Sequence, residues 1–205
     1  MTLLNKDQQQ QVADAIEAVE RQTDAELVTV LATSADDYTY VPLIWAGVVA
    51  LLVPGLINLL TGWMNANHLL LAQVVTFIVV ALLCRLPGIT TRLVPVRVRH
   101  WRAGNLARRQ FLEQNFHATA SGTGVLIFVS EAERYVEIIV DDGIARRVDN
   151  DVWIAMVETF TRQVKSGQIL EGFVSCIRSC GSVLSEQVPV TEARNELPNR
   201  LVVLG

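Results

Sequence analysis

Hydrophobic and polar positions change rhythm several times along this chain, and each change marks an element. Val12, Ala15, Ile16 and Val19 recur at helical spacing. Asn5 stands before them as an N-cap, with Gln8 completing a capping box, so the pattern predicts a helix over Asn5 to Gln22. Glu26 to Ala32 alternates and is rich in β-branched side chains, which predicts a strand. One helix and one strand cannot bury a core, so their partners must come from further along the chain.

From Tyr38 to Cys84 the rhythm disappears: forty-seven consecutive positions hold no Asp, Glu, Lys or Arg. A membrane-spanning helix needs about 20 apolar residues, so the run is too long for one span and fits two with a tight turn. Val41 to Trp63 and Leu69 to Cys84 are read as a helical hairpin, the second span extending into Leu86, with the turn at Asn65, Ala66, Asn67 and His68. A buried soluble hairpin is the alternative, but a 205-residue chain is too small to coat two helices apolar on every side. Trp45, Trp63, Tyr38 and Tyr40 fall near the span ends, at the depth aromatic rings favour.

Beyond the hairpin a basic helix is expected from about Val96 to Phe116. Val125 to Val129 is continuously apolar, as in a central strand buried on both faces. Ser130 to Glu133 turns the chain into a second strand, Tyr135 to Val140, and Asp141-Asp142-Gly143 ends it. Asp149 or Asn150 can cap the next helix, whose stripe is Trp153, Val157, Phe160 and Val164, and Ser166-Gly167 stops it. A last helix runs from Ile169 to Gln187, before Pro189. The tail from Val190 either stays disordered or adds an edge strand through Leu201 to Leu204. The fold class is α/β, a small mixed sheet sandwiched by helices and interrupted by a two-helix transmembrane hairpin. The expected division is residues 1–37 and 93–188 as two parts of one domain, 38–92 as hairpin and basic flank, and 189–205 as tail.

Composition agrees: 51% hydrophobic residues, 19% charged residues and a mean hydropathy of +0.33 suit a membrane protein. No acidic residue lies between Tyr38 and Leu112, whereas Arg85, Arg92, Arg97, Arg99, Arg102, Arg108 and Arg109 follow the second span. The turn carries no Lys or Arg. The positive-inside rule therefore keeps the arginines, both soluble parts and both termini on the cytoplasmic side of a membrane crossed by two spans. The opening residues lack the apolar core of a signal peptide, so the first span is expected to act as its own insertion signal. Three cysteines give no disulfide framework. Cys176 and Cys180 lie one helical turn apart and read as packing rather than as a metal or redox pair.

Gly124-Val-Leu-Ile-Phe-Val-Ser130, Arg134-Tyr-Val-Glu-Ile-Ile-Val140 and Asp142-Gly143-Ile144 together resemble the centre of the TPM domain family. Phe160, Gly167, Gly172 and Phe173 resemble its closing pattern, and the helix and strand of Leu4 to Ala32 its start. The likeness is greatest to the bacterial branch in which two spans interrupt the domain. It implies a small α/β module tied to a membrane, of the kind found among photosystem II repair factors and auxiliary proteins of acetylcholine receptors. It also implies phosphatase activity or binding of calcium or another divalent metal for some members. This chain departs from the pattern where such activity would reside. The Asp-Asn-Gly before the Gly-Val-Leu strand is here Gly122-Thr123-Gly124, and Ala145 replaces a Glu.

Three functional classes remain. A membrane-anchored, non-catalytic interaction or accessory module for membrane-protein assembly or maintenance needs only the anchor, the domain and the basic collar. Arg92, Arg97, Arg99, Arg102, Arg108 and Arg109 are the lipid- or partner-binding candidates. Its partners are membrane lipid and a membrane protein or a second copy. The alternative is a divalent-metal-binding phosphatase-like hydrolase, with Asp141, Asp142, Asp149 and Asp151 as candidate ligands, Glu133 or Glu137 nearby, and calcium or magnesium as the cation. The same aspartates also make good turn and N-cap residues. Transport is the third class. Asn58 and Gln73 are polar positions within the spans, but they suit hydrogen bonds across the hairpin or between copies, and two helices enclose no pore alone. His100 and His117 have no evident nucleophile partner, and no Gly-rich phosphate loop is present. A net charge of −4 and the membrane-adjacent arginines argue against nucleic acid.

Overall fold

The computed structural model describes residues 4–86, 93–114, 122–191 and 201–204. They form two compact units: Met1–Ala35 with His100–Gly205, and Asp36–Arg99.

The first unit is an α/β sandwich. Its elements are α1 (Lys6–Glu20) and β1 (Glu26–Ala32), then, after the second unit, most of α4 (Val96–Glu113), β2 (Gly124–Ser130), β3 (Tyr135–Val140), α5 (Asp142–Ala145), α6 (Asn150–Lys165), α7 (Ile169–Gln187) and β4 (Leu201–Leu204). The strands form one sheet in the order β3-β2-β1-β4. β1 runs parallel to β2, Glu26 opposite Gly124 through Ala32 opposite Ser130, and parallel to β4, Thr29 opposite Leu201. β3 returns antiparallel on β2. The tail thus adds an edge strand. β1 and β2 are buried along their whole length, so both faces are covered.

Strand alternation sends Leu27, Leu31, Val125, Ile127 and Val129 to one face, against Ile16 of α1, Phe160 of α6 and Phe173, Ile177 and Leu184 of α7. Val28, Val30, Ala32, Leu126 and Phe128 go to the other face, against Ala103 and Ala107 of α4. Two glycines set helix spacing. A Cβ on Gly181 would lie 2.5 Å from a methyl of Val19, and one on Gly172 would lie 2.7 Å from the Phe160 ring. The N-terminal helix is capped as its sequence indicates: the Gln8 amide donates to Asn5 Oδ1 at 2.8 Å and the Asn5 amide to Gln8 Oε1 at 2.9 Å. Cys176 and Cys180 are free and buried in α7. The hydrogen bond to Cys176, then burial, pushes the Cys180 thiol well above its usual range, which fits packing rather than reactivity.

The second unit is a helical hairpin, α2 (Tyr40–Thr61) against α3 (Ala66–Cys84). Both are long and apolar enough to cross a membrane. Ala46, Ala50 and Pro54 recur every four residues and are the buried seam, small side chains that let the helices close. α2 continues through Pro54. The turn falls earlier than its polar residues suggest, at Gly62–Asn65. Gly62 takes φ +62 and its N–H caps the Asn58 carbonyl, while Asn65 caps α3 by accepting from the His68 amide at 3.0 Å. Asn58 Oδ1 accepts from the Met64 amide at 2.8 Å, so this side chain holds the turn instead of bridging to α3. α3 ends at Cys84, short of Leu86. Tyr38 is 1% exposed and packs with Val41 and Val94 rather than lying outside as an interface aromatic.

Candidate functional site

The four aspartates proposed as metal ligands lie at helix starts. Asp141 is the N-cap of α5, its Oδ1 accepting from the Asp142 amide at 2.7 Å. Asp149 is the N-cap of α6, accepting from the Asp151 amide at 3.1 Å. Asp142 is exposed and 3.7 Å from Arg146. Among the described residues no group of three His, Cys, Asp or Glu side chains is placed to hold a metal ion. Glu133 and Glu137 do not join the aspartates. Glu133 lies in the turn before β3 and Asp141 just after it, so six strand residues, roughly 20 Å, separate them. Glu137 turns to the α4 face of the sheet, where it meets Tyr135 and Arg108.

Of the arginines, Arg97, Arg99, Arg102, Arg108 and Arg109 all stand on α4, while Arg92 lies outside the described residues. Arg109 pairs with Glu113 at 2.7 Å, one turn on. Arg108 reaches 4.0 Å from Glu137, and the Arg102 guanidinium lies 5.2 Å from the centroid of the Trp101 ring. On the sheet side of the same helix, His100 tilts against Tyr135 with ring centroids 5.3 Å apart, and the Tyr135 hydroxyl donates to Glu137 Oε2 at 3.0 Å. Gly104 makes room, because a Cβ there would lie 3.2 Å from that hydroxyl. Burial first, then the Glu137 carboxylate, pushes the Tyr135 hydroxyl well above its ordinary range, so it remains a protonated donor. The sequence signal was the helical spacing of His100, Gly104 and Arg108 opposite the alternate strand positions Tyr135 and Glu137.

Two carboxylates carry structural roles that the sequence did not show. Glu133 is buried at the ends of β1 and β2. It accepts from Ser34 Oγ at 3.2 Å, from the Ala35 amide at 3.1 Å and from Ser130 Oγ, tying the exit of β1 to the exit of β2. Arg134 follows it with φ +53, which lets the turn close. Glu20, at the end of α1, accepts from the Leu27 amide at 3.0 Å through Oε1, while its Oε2 is buried without a hydrogen-bond partner among the described residues. Burial above all, with Glu26 and Glu17 nearby, pushes the Glu20 carboxyl up to about 8.

Residues 91–183 match the family model labelled TPM phosphatase and described as the TPM domain. That segment is similar to the TPM domain. The solution NMR structure of the BA42 protein from the psychrophilic bacterium Bizionia argentinensis shares its fold, with a TM-score of 0.61, 18% identity, and coverage of 98% of this chain and 94% of that one. None of the curated proteins compared matches this chain.

The matched segment starts after α3, yet the α/β unit is incomplete without α1 and β1, because β1 is the central partner of both β2 and β4. The departures from the family pattern can now be placed. A Cβ on Gly122 would lie 3.6 Å from Asp141 Oδ2, and the Gly143 amide donates to the Gly122 carbonyl at 3.0 Å. The position where the family pattern has an aspartate therefore faces Asp141, and in this chain Asp141 stands there opposite a glycine.

Proposed function

We propose that this protein is a membrane-anchored TPM module in which α2 and α3 cross the bacterial inner membrane. The TPM unit and both termini then face the cytoplasm, and the module acts as a non-catalytic interaction or accessory part in membrane-protein assembly or maintenance. The supporting observation is the insertion itself. β1 and β2 pair residue for residue, so the chain leaves the TPM unit after Ala35 and returns to it. An even number of crossings meets that condition, and two suitable helices lie in between. Their large side chains point outward, with Leu59 80%, Leu60 78% and Trp63 83% exposed. Apolar surface of that extent is stabilised by lipid. The arginines after α3 and the uncharged turn favour the cytoplasmic orientation.

The test is alkaline-carbonate extraction of bacterial membranes, protease mapping of Asp24 and Asp149, and cross-linking with mass spectrometry. Release by carbonate, or opposite sidedness of the two aspartates, ends the anchor. Phosphate release from a generic substrate by the pure protein ends the non-catalytic part.

A divalent-metal phosphatase-like hydrolase is the second reading, favoured by the label of the matching model and by the acidic start of α5. It requires that calcium or magnesium raise the melting temperature and that Asp142→Ala remove the gain. No shift in saturating metal ends it.

A further inference from the structure

We infer that the outward face of α4 lies on the bilayer as an interfacial helix that takes anionic phospholipid headgroups, an inference that rests on the membrane-anchored reading and goes beyond it. Ala103, Gly104, Ala107 and Gln110 form the buried stripe of α4. The opposite positions 101, 105, 108, 109 and 112 are solvent-facing and share one side of the helix. That side is not polar throughout. Trp101 is 59% and Leu112 62% exposed, and these two large apolar side chains are interleaved with Asn105, Arg108 and Arg109. An apolar anchor set among arginines is the pattern of a helix lying in the headgroup layer, where indole and guanidinium both find their preferred depth.

Charge singles out the same helix. Val96–Glu113 holds five arginines against one glutamate, a formal net charge of +4, whereas the whole chain carries −4, so the remaining residues carry −8. An anionic surface is therefore attracted to α4 and repelled by the rest of the chain. Glu113 and Glu137 oppose this only partly, because each meets an arginine. The sequence also limits reach. Eleven residues separate Cys84 from Val96, so α4 begins within about 40 Å of the end of α3. The occupant is lipid rather than a protein partner, because the face repeats the composition of an interfacial helix and its chain is already tethered beside apolar spans.

The experiment uses the full chain with Cys84→Ser and a nitroxide at Asn105→Cys. It is reconstituted in bilayers of phosphatidylcholine alone and in bilayers mixed with phosphatidylglycerol. In the anionic bilayers the ratio of oxygen to aqueous-nickel collisions at position 105 should rise at least about threefold over the neutral ones. The rise should vanish when salt shortens the screening length from about 10 Å to about 3 Å, or in the Arg102→Glu, Arg109→Glu variant. A label equally aqueous in both bilayers overturns the inference, as does one immobilised without gain in oxygen contact, which would report a protein partner. Carbonate extraction of the same samples keeps the two readings apart. An extractable protein whose label still enters anionic bilayers loses the anchor but keeps the interfacial helix. An inextractable protein with an aqueous label does the reverse.

Discussion

Replacing Glu20 by glutamine should flatten part of the protein's pH dependence. In the folded unit one oxygen of this carboxyl receives the Leu27 amide and the other is buried without a partner among the described residues, with Glu26 and Glu17 adding negative potential. The protonated form is therefore favoured, and the group titrates near 8 instead of its usual 4.5. Between those values the folded chain holds a proton that the unfolded chain has released. Stability is fully present below about pH 4.5 and is lost progressively up to about pH 8, above which the loss is complete. At about 1.4 kcal/mol per unit the ceiling is about 5 kcal/mol. Solvent reaches part of the side chain and screens the charge, so about 2 kcal/mol is expected. Glutamine has the shape of the protonated carboxyl and keeps the acceptor for Leu27. Denaturant unfolding in mild detergent, read by the buried Trp153, should give nearly equal stability for wild type and Glu20→Gln at pH 5. At pH 8.5 the variant should lead by about 2 kcal/mol. Parallel pH profiles for the two proteins would refute the assignment, because every other titrating group is common to both.

Further outcomes follow from packing and hydrogen bonding. Gly181→Ala gains about 1 kcal/mol in helix propensity, but its Cβ meets Val19 at 2.5 Å, so a net loss of about 1 to 2 kcal/mol should appear as a lower melting temperature. Val19→Ala in the same chain should recover part of it. Glu133→Ala strands the donors on Ser34, Ala35 and Ser130 and should cost about 3 kcal/mol, seen as faster proteolysis near residue 35. Cys180 should react with iodoacetamide far more slowly than Cys84 at pH 8, since burial and the Cys176 contact hold it as a thiol. Equal rates would show that α7 opens freely.

What the sequence revealed depended on how local the cause was. The Asn5–Gln8 capping box and the Asp149 cap are settled within four residues, and both stand as expected. The continuous burial of β2 was equally readable, because both of its faces are covered, whereas β3 is partly covered on both faces, Val136, Ile138 and Val140 on one and Tyr135 and Ile139 on the other. The hairpin was legible from charge alone, but its turn was displaced, since Gly62 in the left-handed region outweighed the more polar residues that follow. Tyr38 looked like an interface aromatic because nothing in its neighbourhood shows that Val94 packs on it. The tail strand could not be decided before its partner, β1, was known to have a free edge. The candidate aspartates shared a weakness: a carboxylate ahead of a helix looks the same whether it serves a cation or an amide, and here Asp141 and Asp149 each accept an amide.

The pairing of β1 with β2 also constrains synthesis. Glu26 meets Gly124, ninety-eight positions later. At about 5 to 20 residues per second, the first strand waits about 5 to 20 s after leaving the ribosome before its central partner exists. Throughout that interval a mostly apolar strand has both edges open, while the nascent chain behind it is delivering two greasy helices. Slowing translation within the hairpin codons should therefore increase aggregation of the leading segment, and separately expressed halves should recover the pairing only when made together.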